Sequence, residues 1–450
     1  MKVAVAQINS RVGDIEGNCE KIAATGRKAH QLGTDLIIFP EMCIPGFPGR
    51  DLLRHPALVD ANIAAVSKLA AQIPEIGCVV GFADRNPLTE GRPLYSAAAL
   101  IEGGEIQYVC YKANIPAYED LDQTRLFEPA VGASMTKYKD KRLAITLGED
   151  LWTDEALGRR AGFAKSVLED VAKRKIELVI NLAANPYTLG MDRRRLELLK
   201  VEAVKHKVPI VMCNLVGGND EFVFDGTSGA VSATGEIIAR AKSFEEDIVF
   251  IDLVYGAGDI HGEGREDADL VMQGLVVGVR DFVRKSGSER AVVGLAGDLD
   301  SAVTAAVAAE ALGKENVRAL LMPGADSKPD RIAAAQELAR GLGIRFDVVE
   351  LRRLTDAHLG DVERFFSGKA RPATLASLQT RIRTALVSSL AGETGAVALA
   401  CGNKSQQAAG LGARAGELPD GLFPLGDVPR TMVRKIAHEV INRDATVIPA

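Results

Sequence analysis

The stretch AVVGLAGDLDSA, Ala291 to Ala302, constrains this chain more than any other. An apolar β-branched run leads into a glycine-bearing turn, and an alanine-rich segment follows. The pattern predicts a buried strand, a tight turn and a helix from Ser301 to about Gly313. Such a unit aims free backbone N–H groups and the positive end of a helix at one spot, which suits phosphate. Here Asp298 sits in the middle of that turn and Asp300 follows it. An anion-binding turn that carries its own carboxylates is a physical contradiction.

Length and composition bound the rest. A chain of 450 residues holds two or more domains. With 25% charged residues and a net charge of −6, there is no electrostatic case for nucleic acid or an anionic membrane as partner. No apolar run approaches the roughly 20 residues of a membrane span. The opening MKVAVAQINS enters a strand directly, without a basic and then apolar leader. Six scattered cysteines without a C-x-x-C pair read as reduced thiols. A cytoplasmic protein is expected.

Taken in order, the first part alternates β-rich runs with amphipathic segments. The runs are Val3–Ile8, Leu36–Phe39, Cys78–Phe82, Ala97–Ile101, Leu143–Leu147, Leu178–Leu182, Ile210–Asn214 and Ile248–Leu253. The helical segments include Asn18–Gln31, Ala57–Gln72, Gly162–Lys175 and Met191–Lys207. The pattern is α/β. The stretch 256–269, rich in glycine and charge, reads as a linker between domains at 1–255 and 270–450. Beyond it, helices are expected at Leu270–Lys285, Arg331–Leu342 and Leu378–Leu390. Strands are expected at Val317–Met322, Phe346–Leu351 and Val397–Ala400.

Four motifs carry the chemistry of the first part: Phe39-Pro40-Glu41-Met42, Tyr111-Lys112, Gly148-Glu149-Asp150-Leu151-Trp152, and the run from Asn214 to Glu221. Singly each is an ordinary strand-end polar group. Together they resemble the nitrilase-type glutaminase domain of glutamine-dependent NAD synthetase, which implies an N-terminal αββα sandwich. The resemblance makes Glu41 the general base and Lys112 the oxyanion-stabilising cation. Gly148 stands at the nucleophilic cysteine's position. Gln123, in the segment Tyr118–Phe127, stands at that of a second acid. Amide hydrolysis through a thioester needs a thiolate, and glycine has no side chain to attack with. Cys110 and Cys213 are the nearest substitutes in sequence, and both read better as small buried hydrophobes.

From about Glu266 the chain resembles the synthetase domain of the same family, a Rossmann-like parallel-sheet fold of the adenine nucleotide α-hydrolase type. Its pyrophosphate loop reads Ser-Gly-Gly-x-Asp-Ser, so Ala296 replaces serine, Asp298 replaces the second glycine, and Gly297, Asp300 and Ser301 agree. The resemblance places ATP and dinucleotide contacts at Gly294, Ala296, Gly297, Asp298, Asp300, Ser301, Met322, Arg383 and Lys404. It makes Asp300 a magnesium ligand, while Gln406 replaces the family's other ligand, a glutamate. Cys401 and Gly426 replace a threonine and a lysine, and the family continues with further helices past Val447-Ile448-Pro449. For Asp300, Lys404 and Ser405 ordinary helix-start roles compete with these.

The family reaction is conversion of nicotinic acid adenine dinucleotide, ATP and glutamine to NAD, with ammonia tunnelled between domains. Losses that fall on working positions imply a binding or assembly pseudoenzyme. Synthesis of NAD from free ammonia and an enzyme of changed specificity remain as alternatives. ATP and Mg2+ are the cofactors if the second site still binds, and otherwise none. A homo-oligomer is implied, with an active NAD synthetase as a further possible partner.

Overall fold

In the computed structural model, alternation along short apolar strands builds a layered first unit. The structure describes residues 1–117, 123–132, 134–153, 166–262, 264–324, 327–365, 369–410, 421–443 and 447–448. In Lys2–Gln7 (β1), Val3 and Val5 face a core between two sheets, while Ala4 and Ala6 face helices on the outside. The next strands are Leu36–Ile38 (β2), Gly77–Arg85 (β3), Leu94–Glu102 (β4), Glu105–Tyr111 (β5), Ser134–Tyr138 (β6), Lys141–Leu147 (β7), Leu178–Ala183 (β8) and Ile210–Asn214 (β9). Val216–Asn219 (β10), Phe222–Asp225 (β11), Gly229–Val231 (β12), Ile237–Arg240 (β13), Asp247–Asp252 (β14) and Ala257–Gly258 (β15) complete the unit.

One sheet has the order β15-β14-β1-β2-β3-β4-β5 and the other β13-β12-β9-β8-β7-β6, with β10-β11 a separate ribbon. Leu36, Ile38 and Val79 of the first sheet share a core with Leu143, Ile145, Leu178 and Val211 of the second. Helices Ile15–Gln31 and Pro56–Gln72 cover one outer face, through Ile22, Val66 and Leu69. Helix Met191–His206 covers the other, through Leu198, Leu199 and Ala203. This is the expected αββα sandwich.

The second unit has Ala291–Leu295 (β16), Val317–Leu321 (β17), Arg345–Val348 (β18), Val397–Leu399 (β19) and Gly421–Leu422 (β20), all parallel, in the order β18-β17-β16-β19-β20. Strand order reverses between β16 and β19, so the loops leaving their C-terminal ends face one crevice. Helix Leu299–Leu312 is buried almost all round, which its alanines permit by keeping it slim.

The chain divides at Gly264/Arg265. The stretch read as a linker is not irregular throughout: Ala257–Gly258 pairs with β14, and a helix runs Asp267–Lys285. Helices Pro329–Leu342 and Pro372–Thr394 start earlier than expected, each with proline in its first turn, and helix Arg352–Glu363 was not anticipated. Of the segment Gly162–Lys175, residues 162–165 lie outside the described residues. The remainder holds only Leu168–Val171 and a tighter turn, Ala172–Arg174, closed by Lys175 in the left-handed region. Residues 118–122 of Tyr118–Phe127 and Pro449 also lie outside the described residues. Among the described residues, no helix is long and apolar enough to cross a membrane.

Candidate functional site

Three strand ends bring the first group of residues together. Glu41 follows β2, Lys112 follows β5, and Gly148 opens a one-turn segment, Gly148–Leu151, after β7. Gln123 joins them from the turn Gln123–Arg125. All four positions converge in a buried cluster. Lys112 Nζ stands 3.0 Å and 3.3 Å from the two carboxylate oxygens of Glu41 and 2.5 Å from Glu149 Oε2. It also donates to Gln123 Oε1 at 3.3 Å. An ammonium has three N–H groups; Glu41 and Gln123 accept from it, and Glu149 pairs with its charge.

The place of the missing side chain is taken. A Cβ at Gly148 would lie 2.5 Å from Lys112 Nζ and 2.7 Å from Glu41 Oε2. The backbone there has φ +45°, a left-handed conformation that glycine adopts at no steric cost. Two carboxylates and one ammonium thus close over a position with nothing to activate.

Electrostatics fits this closure. Burial pushes the Glu41 carboxyl above its ordinary range and Glu149 adds to the rise, with Lys112 and Ser96 opposing. Burial alone would lower the Lys112 ammonium, but Glu149 and Glu41 more than reverse it and hold the group charged. Burial raises Asp150 to about 6, against hydrogen bonds from Asn114, Leu147 and Ala113 N–H groups.

Several contributors had no role assigned from the sequence. Ser96 Oγ donates to Glu41 Oε1 at 2.8 Å, and Asn185 Nδ2 donates to Glu149 Oε1 at 3.0 Å. Asp150 ties the loop after β5 to the end of β7 through its three backbone donors. The only cue to Ser96 was a polar residue inside the apolar run LYSAAALIE. The candidate thiols are elsewhere: Cys110 lies in the inter-sheet core against Ala98 O, and Cys213 lies against Ala6 O. Burial drives both thiols well up, away from the nucleophilic thiolate.

The second group gathers at the reversal point of the parallel sheet. Gly297 has φ +66°, and a Cβ there would lie 2.2 Å from Arg331 O, so backbone approach and conformation both require glycine. The helix begins at Leu299 rather than Ser301. Asp298 is its cap, accepting from Ser301 N at 2.9 Å. The cap role weighed for Asp300 therefore belongs to Asp298, whose extended backbone lets its side chain reach the orphan N–H. Ser301 Oγ donates to Asp298 O and accepts from Ala296 N.

Asp300 is the second residue of that helix, in its first turn, and is buried. Asn403 Nδ2 donates to both of its oxygens, at 3.0 Å and 2.9 Å, and Gln406 Nε2 donates to Oδ2 at 2.9 Å. Asn403 caps helix Lys404–Ala408, and Gln406 Oε1 accepts from Asn403 N at 3.2 Å. That helix starts at Lys404 instead of Gln406. Lys404 Nζ stands 3.4 Å from Asp427. Arg383 donates to Met322 O at 3.4 Å, and Met322 Cε would lie 3.2 Å from a Cβ at Gly294. Cys401, its thiol pushed up to about 12 by burial and then by Asp298, donates to Gly294 O.

This donor set does not fit a magnesium ion. A hard divalent cation wants oxygen ligands. Both oxygens of Asp300 accept amide N–H groups, and Gln406 presents nitrogen to it. No group of three or more His, Cys, Asp or Glu side chains placed to hold a metal occurs among the described residues.

Fold and site together define an amide-hydrolase sandwich joined to a nucleotide-type parallel sheet. Residues 2–257 match the carbon-nitrogen hydrolase family, and residues 271–449 match NAD synthase. The glutamine-dependent NAD(+) synthetase of Synechocystis sp. is 34% identical over 99% of this chain and 82% of its own length. That of Thermotoga maritima is 32% identical over 97% of this chain and 80% of its own. The structure of glutamine-dependent NAD+ synthetase from Acinetobacter baumannii, in complex with adenosine diphosphate, has a TM-score of 0.91 at 30% identity. It is covered to 83% by the whole of this chain. The chain belongs to the glutamine-dependent NAD synthetase family.

Proposed function

We propose that this family member has lost glutaminase activity and that its second domain serves as an adenine-nucleotide-binding module with synthesis lost or strongly impaired, a pseudoenzyme acting through binding or assembly. The observation that carries the reading is Gly148. No nucleophile stands between Glu41 and Lys112, and the charged ends of those residues fill the space one would need. Without a nucleophile, a base and a cation cannot form the thioester through which the family's amide hydrolysis runs. Support for nucleotide binding comes from the relative of known structure, which holds adenosine diphosphate, and from Gly297, Asp300 and Ser301.

A second reading, NAD synthesis from free ammonia, draws on the same retained residues. The test is incubation with nicotinic acid adenine dinucleotide, ATP and Mg2+, with glutamine or ammonium as nitrogen source, alongside calorimetric titration of the nucleotides. The expected result is nucleotide binding without NAD from either source. NAD from ammonium alone favours the second reading, and NAD from glutamine overturns both. A homo-oligomer, or a complex with an active NAD synthetase in the cytoplasm, is the proposed setting. Sedimentation of the chain with and without such a synthetase tests it.

A further inference from the structure

We propose that the second domain holds its nucleotide without a divalent cation, the amide of Gln406 standing in for the ion at Asp300, and therefore prefers ligands carrying few phosphate charges. The inference rests on the nucleotide reading above.

The geometry of Gln406 is the starting point. Its Oε1 accepts a backbone N–H from Asn403 while its Nε2 donates to Asp300 Oδ2 at 2.9 Å. A glutamate placed there could accept the same N–H, but it would set a second carboxylate oxygen against Asp300 at hydrogen-bond distance. Two such oxygens need a shared proton or a cation between them. The amide removes that need, and Asn403 supplies donors to both Asp300 oxygens. Among the described residues, the side-chain hydrogen bonds to the Asp300 carboxylate come from neutral amide N–H groups.

A second observation points the same way. The start of helix Leu299–Leu312 already holds an anion of its own, since Asp298 accepts from Ser301 N at 2.9 Å. A polyphosphate arriving here meets a capped helix and a nearby carboxylate. A nucleoside or monophosphate brings fewer charges into that field.

The test is calorimetric titration of the full chain with adenosine, AMP, ADP and ATP, each with Mg2+ and with EDTA. Affinity is expected to fall with each added phosphate, and Mg2+ to change it by less than about threefold for every ligand. Tightening of ATP binding by Mg2+ of about tenfold or more overturns the inference while leaving the nucleotide site standing. Failure of all four compounds to bind overturns the site itself. In parallel, Gln406→Glu should acquire a thermal stabilisation by Mg2+ alone that the unsubstituted chain lacks. Equal response of the two proteins to Mg2+ counts against the cation's replacement. Should that variant fail to fold, the titrations of the unsubstituted chain decide by themselves.

Discussion

The two sites differ physically at the positions that the family resemblance singles out. At Gly148 there is no side chain, and Glu41, Lys112 and Glu149 form a buried salt-bridged cluster beside it. Asp298 and Gln406 instead hydrogen-bond to Ser301 N and Asp300, at a crevice with a glycine turn and a helix start. The glycine at position 148 supplies no nucleophile. Under the proposed function the first domain is a scaffold and the second a receptor.

The largest expected effect concerns the closed cluster. Lys112→Met leaves Glu41 and Glu149 buried together without a counter-ion, and should cost about 3–5 kcal/mol in urea denaturation. A loss below about 1 kcal/mol would show that the cluster is solvated instead of closed. Gly148→Cys comes next. Its Cβ must shift the Lys112 ammonium and adopt φ +45°, at a cost of about 1–3 kcal/mol. Glutamate release should not return to a working rate, because Gln123 remains in place of an acid. Full recovery would mean that the site had been kept open.

Smaller effects sharpen the other side. Asp298→Asn keeps a good helix cap, so stability should change by less than about 0.5 kcal/mol. The charge, however, is gone. At ~5 Å and an effective dielectric of ~20, one like charge costs about 3 kcal/mol per phosphate charge. ADP affinity should therefore rise by at least about tenfold in calorimetry. No change would place Asp298 outside the ligand's field.

The pH dependence follows from Glu41 and Asp150, both raised by burial. Their folded forms hold protons that the unfolded chain releases at ordinary carboxylate pKa values near 4. Their contribution is fully present below that value and lost as pH rises through about 6 for Asp150. The first domain should thus gain of order 1 kcal/mol in urea denaturation between pH 7 and pH 5. The opposite slope would mean that the hydrogen bonds to Asp150 outweigh its burial.

Much of this was legible in the sequence, and the remainder was hidden for identifiable reasons. Strand runs such as Val3–Ile8 and the turn at Gly297 announced themselves through alternation and glycine, and both layered domains followed. Glu41, Lys112, Gln123 and Gly148 are far apart in the chain, so only their motifs could group them. Ser96 was not legible, because its reach to Glu41 depends on strand register: Lys112 N donates to Ser96 O at 2.9 Å. The helix start was misplaced by two residues, which exchanged the roles of Asp298 and Asp300. Propensity alone does not say which of two aspartates has the extended backbone of a cap. The engagement of Asp300 by Asn403 and Gln406 joins residues a hundred positions apart and needed the sheet order to appear.

The central claim is that no group in the first domain attacks an amide. Glutamate release from glutamine by the purified chain, measured beside Glu41→Ala, tests it most directly. The account predicts the same background rate for both proteins. Catalytic turnover that Glu41→Ala abolishes would contradict it.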